Sequence, residues 1–235
     1  MKTVIIIPTY NERDNIKELI PAIFFIIPQA VVVIVDDNSP DATSAEVWRL
    51  KKKYSNLHLV KRKKKAGRGS AVIEGFKYAH EHINAQIYIE MDADFSHDPK
   101  ELAQLIKLSK PKTIVLASRY VAGSKIINWP ISRRLTSHLA NFLIRFVLGI
   151  PIKDNTNGLR CYSKEAVHLL INRRFITQGH VLLSESAYLL YKNGFRYVEI
   201  STIFRNRIIG QSNATISEFI NALKDLFRIK KSFNI

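Results

Sequence analysis

Met91-Asp92-Ala93-Asp94 closes a hydrophobic run with two carboxylates at positions i and i+2. On an extended segment, side chains two apart point the same way. Two anions held side by side repel, which suggests a divalent cation between or beside them. Mg²⁺ is usually held by one or two protein carboxylates, with substrate phosphates completing its shell. The carboxyl end of a strand is also where open α/β sheets place ligands. Asp92 and Asp94 are therefore candidate metal ligands, the alternative being a surface pair that only stops a strand.

Other strand-like runs end in similar polar clusters. The run Val4–Pro8 leads into Thr9-Tyr10-Asn11-Glu12, an aromatic, an amide and a carboxylate at one strand end. A turn and helix start explains the same residues, with Asn11 as cap and Glu12 answering the helix dipole. Val31–Val35 runs into Asp36-Asp37-Asn38-Ser39-Pro40-Asp41. Adjacent aspartates at a strand end can accept hydrogen bonds from a ribose or a base edge; otherwise this is a polar turn with Asp41 capping the next helix. No G-x-G-x-x-G follows the first strand, which disfavours a nicotinamide cofactor.

The segment Lys61-Arg62-Lys63-Lys64-Lys65-Ala66-Gly67-Arg68-Gly69 sets a basic cluster and two glycines before a helix start. That is a cradle for phosphate, although a localisation signal, a nucleic-acid patch or a solvated face uses the same residues. Its position on the same edge as the other motifs favours phosphate. Phe95-Ser96-His97-Asp98-Pro99 follows the carboxylate pair, with His97 either a loop histidine or a support for the site. Arg119, Arg133, Arg205 and Arg207 offer guanidinium groups suited to phosphate oxygens, or are surface charges.

The elements that must position these residues follow from periodicity. Strand-like runs at Val4–Pro8, Val31–Val35, His58–Lys61, Ile87–Met91 and Ile114–Ser118 alternate with helix-like segments near 13–24, 42–53, 69–83 and 99–108. Such alternation predicts parallel strands joined by crossover helices, an α/β nucleotide-binding sandwich. The Val/Ile runs are continuous, as expected of strands covered on both faces. After about residue 120 the pattern changes to a helix from Trp129-Pro130-Ile131-Ser132 to about Leu148, a polar turn at 154–158, a helix near 180–192, a strand near 196–204 and an amphipathic helix near 216–229. Residues 1–235 are expected to form one domain, in which 121–235 elaborates a site built by 1–120.

With 46% hydrophobic and 10% aromatic residues in 235, the chain is globular rather than disordered. Thirty-six basic against 20 acidic residues leave a formal charge of +16, which favours polyanionic partners such as nucleic acid, anionic lipid or a phosphorylated substrate. A single cysteine, Cys161, excludes an intramolecular disulfide and a cysteine-rich zinc site. No signal peptide is expected ahead of the first strand. The apolar stretches Ile20–Val35 and Leu139–Ile152 are broken by Pro21, Pro28, Arg145 and Pro151, so no membrane span is expected. Leu139–Ile152 and Phe219–Phe233 mix apolar residues with Arg145, Lys224, Arg228, Lys230 and Lys231, as helices lying on a membrane surface do; packing on the core is the other reading. A nucleic-acid-binding role lacks the expected recognition motifs and stacking stripes, and carboxylates at the strand ends would repel a polyanion.

Taken together, Pro8-Thr9-Tyr10-Asn11-Glu12, Asp36-Asp37-Asn38-Ser39-Pro40-Asp41, Gly67 and Gly69, and Asp92-Ala93-Asp94 with Ser96-His97-Asp98-Pro99 resemble the inverting GT-A glycosyltransferases of family 2. Ser118-Arg119-Tyr120, Trp129 with Arg133, Ser137 and Asn141, Asp154-Asn155-Thr156-Asn157-Gly158-Leu159-Arg160, and Arg205-Asn206-Arg207 with Gly210 and Ser212 narrow the resemblance to the polyprenyl- and dolichyl-phosphate mannosyltransferases. It covers roughly residues 3 to 227.

The resemblance implies a GT-A, Rossmann-like sandwich with a mostly parallel sheet and C-terminal helices. It places Pro8, Tyr10, Glu12 and Asp37 at the nucleotide, together with Asp92 and Ala93, and gives Asp92 and Asp94 to Mg²⁺ or Mn²⁺ on the diphosphate. Arg119, Arg133, Ser137 and Arg205 would face the acceptor phosphate and the sugar, with Arg207 and Ser212 in a loop closing over the donor. The implied substrates are GDP-mannose and a polyprenyl (dolichyl) monophosphate, on the cytoplasmic side of a membrane, with a small membrane-spanning partner subunit as a further expectation. A UDP-glucose-using relative is the nearest alternative, and a non-catalytic partner subunit another. Departures from the family pattern are Leu183 for a glutamine two residues before Glu185, Asn157 for serine, Leu159 for phenylalanine, His138 for arginine and Asn213 for lysine. The His138 and Asn213 changes each remove a positive charge near the expected phosphates.

Overall fold

The structure is a computed structural model that describes residues 1–177, 179, 181–206 and 216–233. The elements run β1 (Thr3–Thr9), α1 (Arg13–Ile26), β2 (Val31–Asp36), α2 (Thr43–Lys51), β3 (Leu57–Lys61), α3 (Arg68–His82), β4 (Ile87–Glu90), α4 (Glu101–Leu108) and β5 (Thr113–Ser118). There follow β6 (Lys125–Ile127), α5 (Ile131–Leu148), β7 (Arg160–Ser163), α6 (Lys164–Ile171), α7 (Leu182–Lys192), β8 (Arg196–Ser201), β9 (Ile203–Arg205) and α8 (Ile216–Ser232).

Seven strands form one sheet in the order β3-β2-β1-β4-β7-β5-β8, and β6 and β9 form a second, two-stranded one. β1 pairs in parallel with β2 and β4, β2 with β3, and β5 with β8. The α/β expectation holds, and its mostly parallel sheet has one exception. β7 runs antiparallel between β4 and β5. Neither β7 nor α6 was legible beforehand, because Arg160-Cys161-Tyr162-Ser163 shows neither alternation nor an aliphatic run. The strand expected over 196–204 is two strands, and its second part leaves the main sheet to pair with β6.

Both faces of the sheet are covered, which explains the unbroken Val/Ile runs. Ile5, Ile7, Val32, Ile34 and Ile89 pack toward α1, α2 and α4 through Ile16, Leu19, Val47, Leu102 and Leu105. Their alternates Val4, Ile6, Val33, Val35 and Tyr88 pack toward α3 and α6 through Val72, Phe76 and Val167. Gly75 sets the approach of α3: a Cβ there would lie 2.4 Å from Ile6 Cγ2, so no other residue lets the helix lie this close to β1.

Pro21 lies inside α1, which runs two residues past the expected end near 24, to Ile26. A proline removes one backbone donor, while burial of Ile20, Ile23 and Phe24 on either side of it holds the helix to the core. Burial on β7 pushes the Cys161 thiol up to about 12. A third apolar cluster joins Leu116 to α5, α7 and α8 through Ile144, Val147, Leu148, Tyr188, Leu226 and Ile229. Among the described residues, no helix is long and apolar enough to cross a membrane.

Candidate active site

The carboxyl ends of β1, β2 and β4 lie side by side, so the parallel register alone gathers Pro8, Tyr10, Asp37 and Asp92 on one edge of the sheet. The loops on that edge are stitched together by side chains. The Asn11 N–H donates to Ser39 Oγ at 3.0 Å, the Glu12 N–H to Thr43 Oγ1 at 3.1 Å, and the Arg13 N–H to Asp41 Oδ2 at 3.1 Å. Asp41 also accepts from the Thr43 N–H at 3.0 Å. One carboxylate therefore serves the first turns of both α1 and α2. Asn11 was expected to cap α1; instead it adopts a φ of 60° in the turn, and the N-cap position falls on Glu12.

The adjacent aspartates after β2 divide their work. Asp36 is fully buried and accepts from Thr9, Ser39 and Ser44 hydroxyls. Asp37 accepts from Arg62 Nη1 at 2.9 Å, the Ala66 N–H at 3.0 Å and the Gly67 N–H at 2.8 Å. The loop expected to cradle phosphate thus turns two of its backbone donors onto Asp37. Its lysines stay on the surface, with the Lys65 ammonium 3.6 Å from the centre of the half-exposed Tyr10 ring.

After β4, Ala93 and Asp94 are buried, and Phe95 adopts a φ of 55°. Asp94 Oδ1 accepts from Ser96 Oγ at 2.6 Å and from the Ser96 N–H at 3.1 Å, which orients the carboxylate from below. Asp92 meets Arg68 Nε at 2.6 Å. His97 is a buried support: its Nδ1 lies 3.2 Å from both Glu101 Oε2 and Thr202 Oγ1, and its ring meets the Phe204 ring edge-on. The Arg205 N–H donates to the Ser96 carbonyl at 3.0 Å, tying the end of β9 to the carboxylate loop.

The second half contributes an aromatic ladder. Phe204 meets Trp129 at right angles with ring centres 5.3 Å apart. Arg133 lies 4.2 Å above Trp129, and its Nη1 donates to Asn206 Oδ1 at 2.7 Å. Ser137 Oγ accepts from the Tyr120 hydroxyl at 2.6 Å, and the His138 ring lies tilted against that tyrosine with ring centres 4.1 Å apart.

Arg119, expected to face the acceptor phosphate, is paired within the protein. Its Nε and Nη2 grip the two oxygens of Asp154 at 2.7 and 2.6 Å, and the pair is buried. Burial disfavours both charges, but each partner's charge outweighs it, raising the pKa of Arg119 and lowering that of Asp154. Arg119 therefore braces the 154–158 loop from inside and does not present an unpaired charge to an incoming phosphate. Arg205 is exposed. Arg207, Gly210, Ser212 and Asn213 lie outside the described residues.

Sequence reasoning missed Glu90 and the use of Arg68 and Asp154 as ion partners. Only the placement of Arg68 between two glycines was a signal. Glu185 accepts from the Thr177 N–H and hydroxyl and the Ile176 N–H, and the Leu183 carbonyl accepts from the fully buried Arg160. At position 183 the backbone, not the side chain, meets that arginine.

A family model described as Glycosyl transferase family 2 matches residues 4–170. The chain belongs to that family. It is 34% identical, over 94% of its length and 84% of the relative's, to the polyprenol monophosphomannose synthase of Mycolicibacterium smegmatis. Similar curated relatives are the undecaprenyl-phosphate mannosyltransferase of Micrococcus luteus, 31% identical over 90% of this chain and 87% of the relative, and the dolichol-phosphate mannosyltransferase of Pyrococcus furiosus, 35% identical over 98% of this chain and 64% of that longer relative.

Among solved structures, a mannosyltransferase of Pyrobaculum calidifontis in complex with GDP-Man and Mn²⁺ aligns with a TM-score of 0.63, 19% identity, and coverage of 97% of this chain and 69% of the other. Glucosyl-3-phosphoglycerate synthase of Mycobacterium tuberculosis, in complex with Mn²⁺ and UDP, aligns at 0.69 with 15% identity over 98% and 79%. These likenesses show a shared GT-A fold.

Proposed function

We propose that this glycosyltransferase moves mannose from GDP-mannose to a polyprenyl monophosphate with inversion at the anomeric carbon. The observation that carries the reading is near-full-length similarity to lipid-phosphate mannosyltransferases of three organisms, in a chain whose strand ends gather the matching carboxylates.

The residues that would hold an ion are Asp92 and Asp94, whose hard carboxylate oxygens suit Mg²⁺ or Mn²⁺. No cluster of three or more His, Cys, Asp or Glu occurs among the described residues, so a metal's shell would be completed by diphosphate and water. Held there, an ion would offset negative charge developing on the departing diphosphate.

The chain's own residues do the rest. Asp94, oriented by Ser96, and Asp92 fix where the diphosphate lies, while Tyr10 with Lys65 forms a flat cationic edge beside Pro8 for the base. Glu12 and Asp37 set the loops of that edge. Arg133, spread on Trp129, and Arg205 on β9 face the acceptor half and pair with the lipid phosphate. A phosphate with a second pKa near ~6 is already an anionic nucleophile at neutral pH, so no general base is required. Ser137 and Arg119 hold this half in place through Tyr120 and Asp154.

The acceptor's chain leads to α5. Ile131, Leu135, Leu139, Phe142 and Phe146 are exposed at spacings of one helical face, beside the exposed Arg134 and Arg145. This face rests on the membrane surface, apolar side down, which brings the lipid phosphate within reach of Arg133.

Transfer of radiolabelled mannose to a short-chain prenyl phosphate tests the reading, with Asp94→Ala as the inactive control. Thermal shifts with GDP, UDP, GDP-mannose and UDP-glucose, each with Mn²⁺, test the donor. Stabilisation by UDP-glucose in place of GDP-mannose would replace the proposed sugar.

A further inference from the structure

Arg68 is the first residue of α3, and its guanidinium is spent on the carboxylate site. Nε donates to Asp92 Oδ1 at 2.6 Å, Nη1 to Glu90 Oε2 at 3.0 Å and Nη2 to the Gly158 carbonyl at 3.2 Å. The arginine side chain is 13% exposed, that of Glu90 2% and that of Asp92 25%, so the charges meet largely out of water. The other Glu90 oxygen accepts from the Tyr162 hydroxyl.

Gly158 is part of the same device. A Cβ there would fall 2.2 Å from Arg68 Nη2 and 2.8 Å from Asp92 Oδ2, so a side chain at 158 would push both groups from these positions. One Asp92 oxygen is thus bound by Arg68 while the other lies against Gly158. The Arg68 guanidinium thus sits between the carboxylates of Asp92 and Glu90.

Glu90, Asp92 and Asp94 follow one another at i, i+2 and i+4 across the end of β4. Both Glu90 oxygens are engaged by Arg68 and Tyr162, so a cation at this strand end would meet the Asp92–Asp94 pair. Arg68 cancels one of the charges and engages the middle carboxylate.

We propose that Arg68 is a positioning residue that holds Asp92 in a neutralised pair, so that the nucleotide-free protein binds a divalent cation weakly and the cation binds tightly only together with a nucleoside diphosphate. The proposal rests on the metal-dependent reading above and adds the residue that sets when the metal binds. Its consequence is that the carboxylates do not sequester free cation between turnovers.

Titration of free Mn²⁺ by electron paramagnetic resonance tests this without donor or acceptor. Wild-type protein should bind Mn²⁺ at least about tenfold more tightly with GDP present than without it. Arg68→Gln should tighten nucleotide-free binding about tenfold, and Arg68→Gln/Asp92→Asn should lose that gain. Glu90→Gln/Arg68→Gln restores the wild-type net charge while releasing Asp92, and should also bind more tightly than wild type. Because it removes both buried charges, it carries the test where Arg68→Gln alone does not stay folded.

Nucleotide-free affinity unchanged or weaker in Arg68→Gln overturns the proposal. So does a Glu90→Gln/Arg68→Gln variant that returns to the wild-type value, since bulk charge then accounts for the effect. Either result with mannosyl transfer intact leaves the functional reading standing. No Mn²⁺ binding even with GDP would overturn the metal reading itself.

Discussion

The two halves of the site satisfy their polar groups in opposite ways. On the nucleotide side, Asp36, Asp37 and Asp41 each accept hydrogen bonds from a neighbouring loop, so the strand-end loops are locked to one another before any ligand arrives. On the acceptor side, α5 buries Asn141, Ile144, Val147 and Leu148 on one face and leaves a row of large apolar residues in water on the other, with Phe146 75% exposed. Buried carboxylates must find donors within the protein, whereas an exposed apolar stripe is stable only at a cost until something covers it. The first region is finished by its own hydrogen bonds, and the second leaves an apolar face that we propose the membrane surface covers. A phosphorylated lipid joining a water-soluble donor calls for such a division.

The sharpest break of this comparison is at the carboxylate pair. Asp94→Ala should lower transfer by about 10⁴-fold, or about 5 kcal/mol of transition-state stabilisation, with the fold intact by circular dichroism. A loss of less than tenfold would remove Asp94 from the metal site.

Next in size, Asp154→Ala leaves the buried Arg119 cation without its partner and should cost about 3–5 kcal/mol in urea unfolding. The same pair sets acid sensitivity. Burial would raise the Asp154 pKa, but the charge and hydrogen bonds of Arg119 lower it beneath the usual 3.8. Its stabilisation is therefore present above about 3.8 and is lost as pH falls through the lower folded value. Asp154→Asn should flatten that acid limb of the stability curve.

On the membrane side, Phe142→Ser/Phe146→Ser should weaken binding to anionic vesicles by about 100-fold, taking part of the roughly 1.5–3 kcal/mol that each fully buried phenylalanine contributes. Transfer to a short, soluble acceptor should be unchanged. Equal loss of both would mean that α5 works in the chemistry rather than at the surface.

The smallest effect sits at the seam between the regions. Trp129→Ala removes the aromatic plate under Arg133 and should raise the acceptor KM about tenfold while leaving the donor KM near wild type. A matching rise in donor KM would show that the two halves are not separable.

Asp92, Asp94, Tyr10 and Asp37 were legible as site candidates because each follows a strand whose Val/Ile run is visible locally, and parallel strands place such ends on one edge. Arg119 was legible as a site candidate but its ion pair was not, since nothing local indicates that Asp154 grips it. β7 was not legible at all. A short strand with an arginine, a cysteine and a tyrosine on it is stabilised by two neighbours already in place, not by its own pattern.

The sequence by itself determined the α/β architecture, the carboxylates at its strand ends and the amphipathic helix, because a period of two or 3.6 residues is written within a dozen positions. The tertiary structure alone decided how the charges are shared. Arg68 reaches Asp92 across 24 positions and Glu90 across 22, and Arg119 reaches Asp154 across 35. Those partners meet only after the chain connections bring α3 to the end of β4 and the 154–158 loop to the end of β5, and buried charges pair with whatever the fold sets beside them.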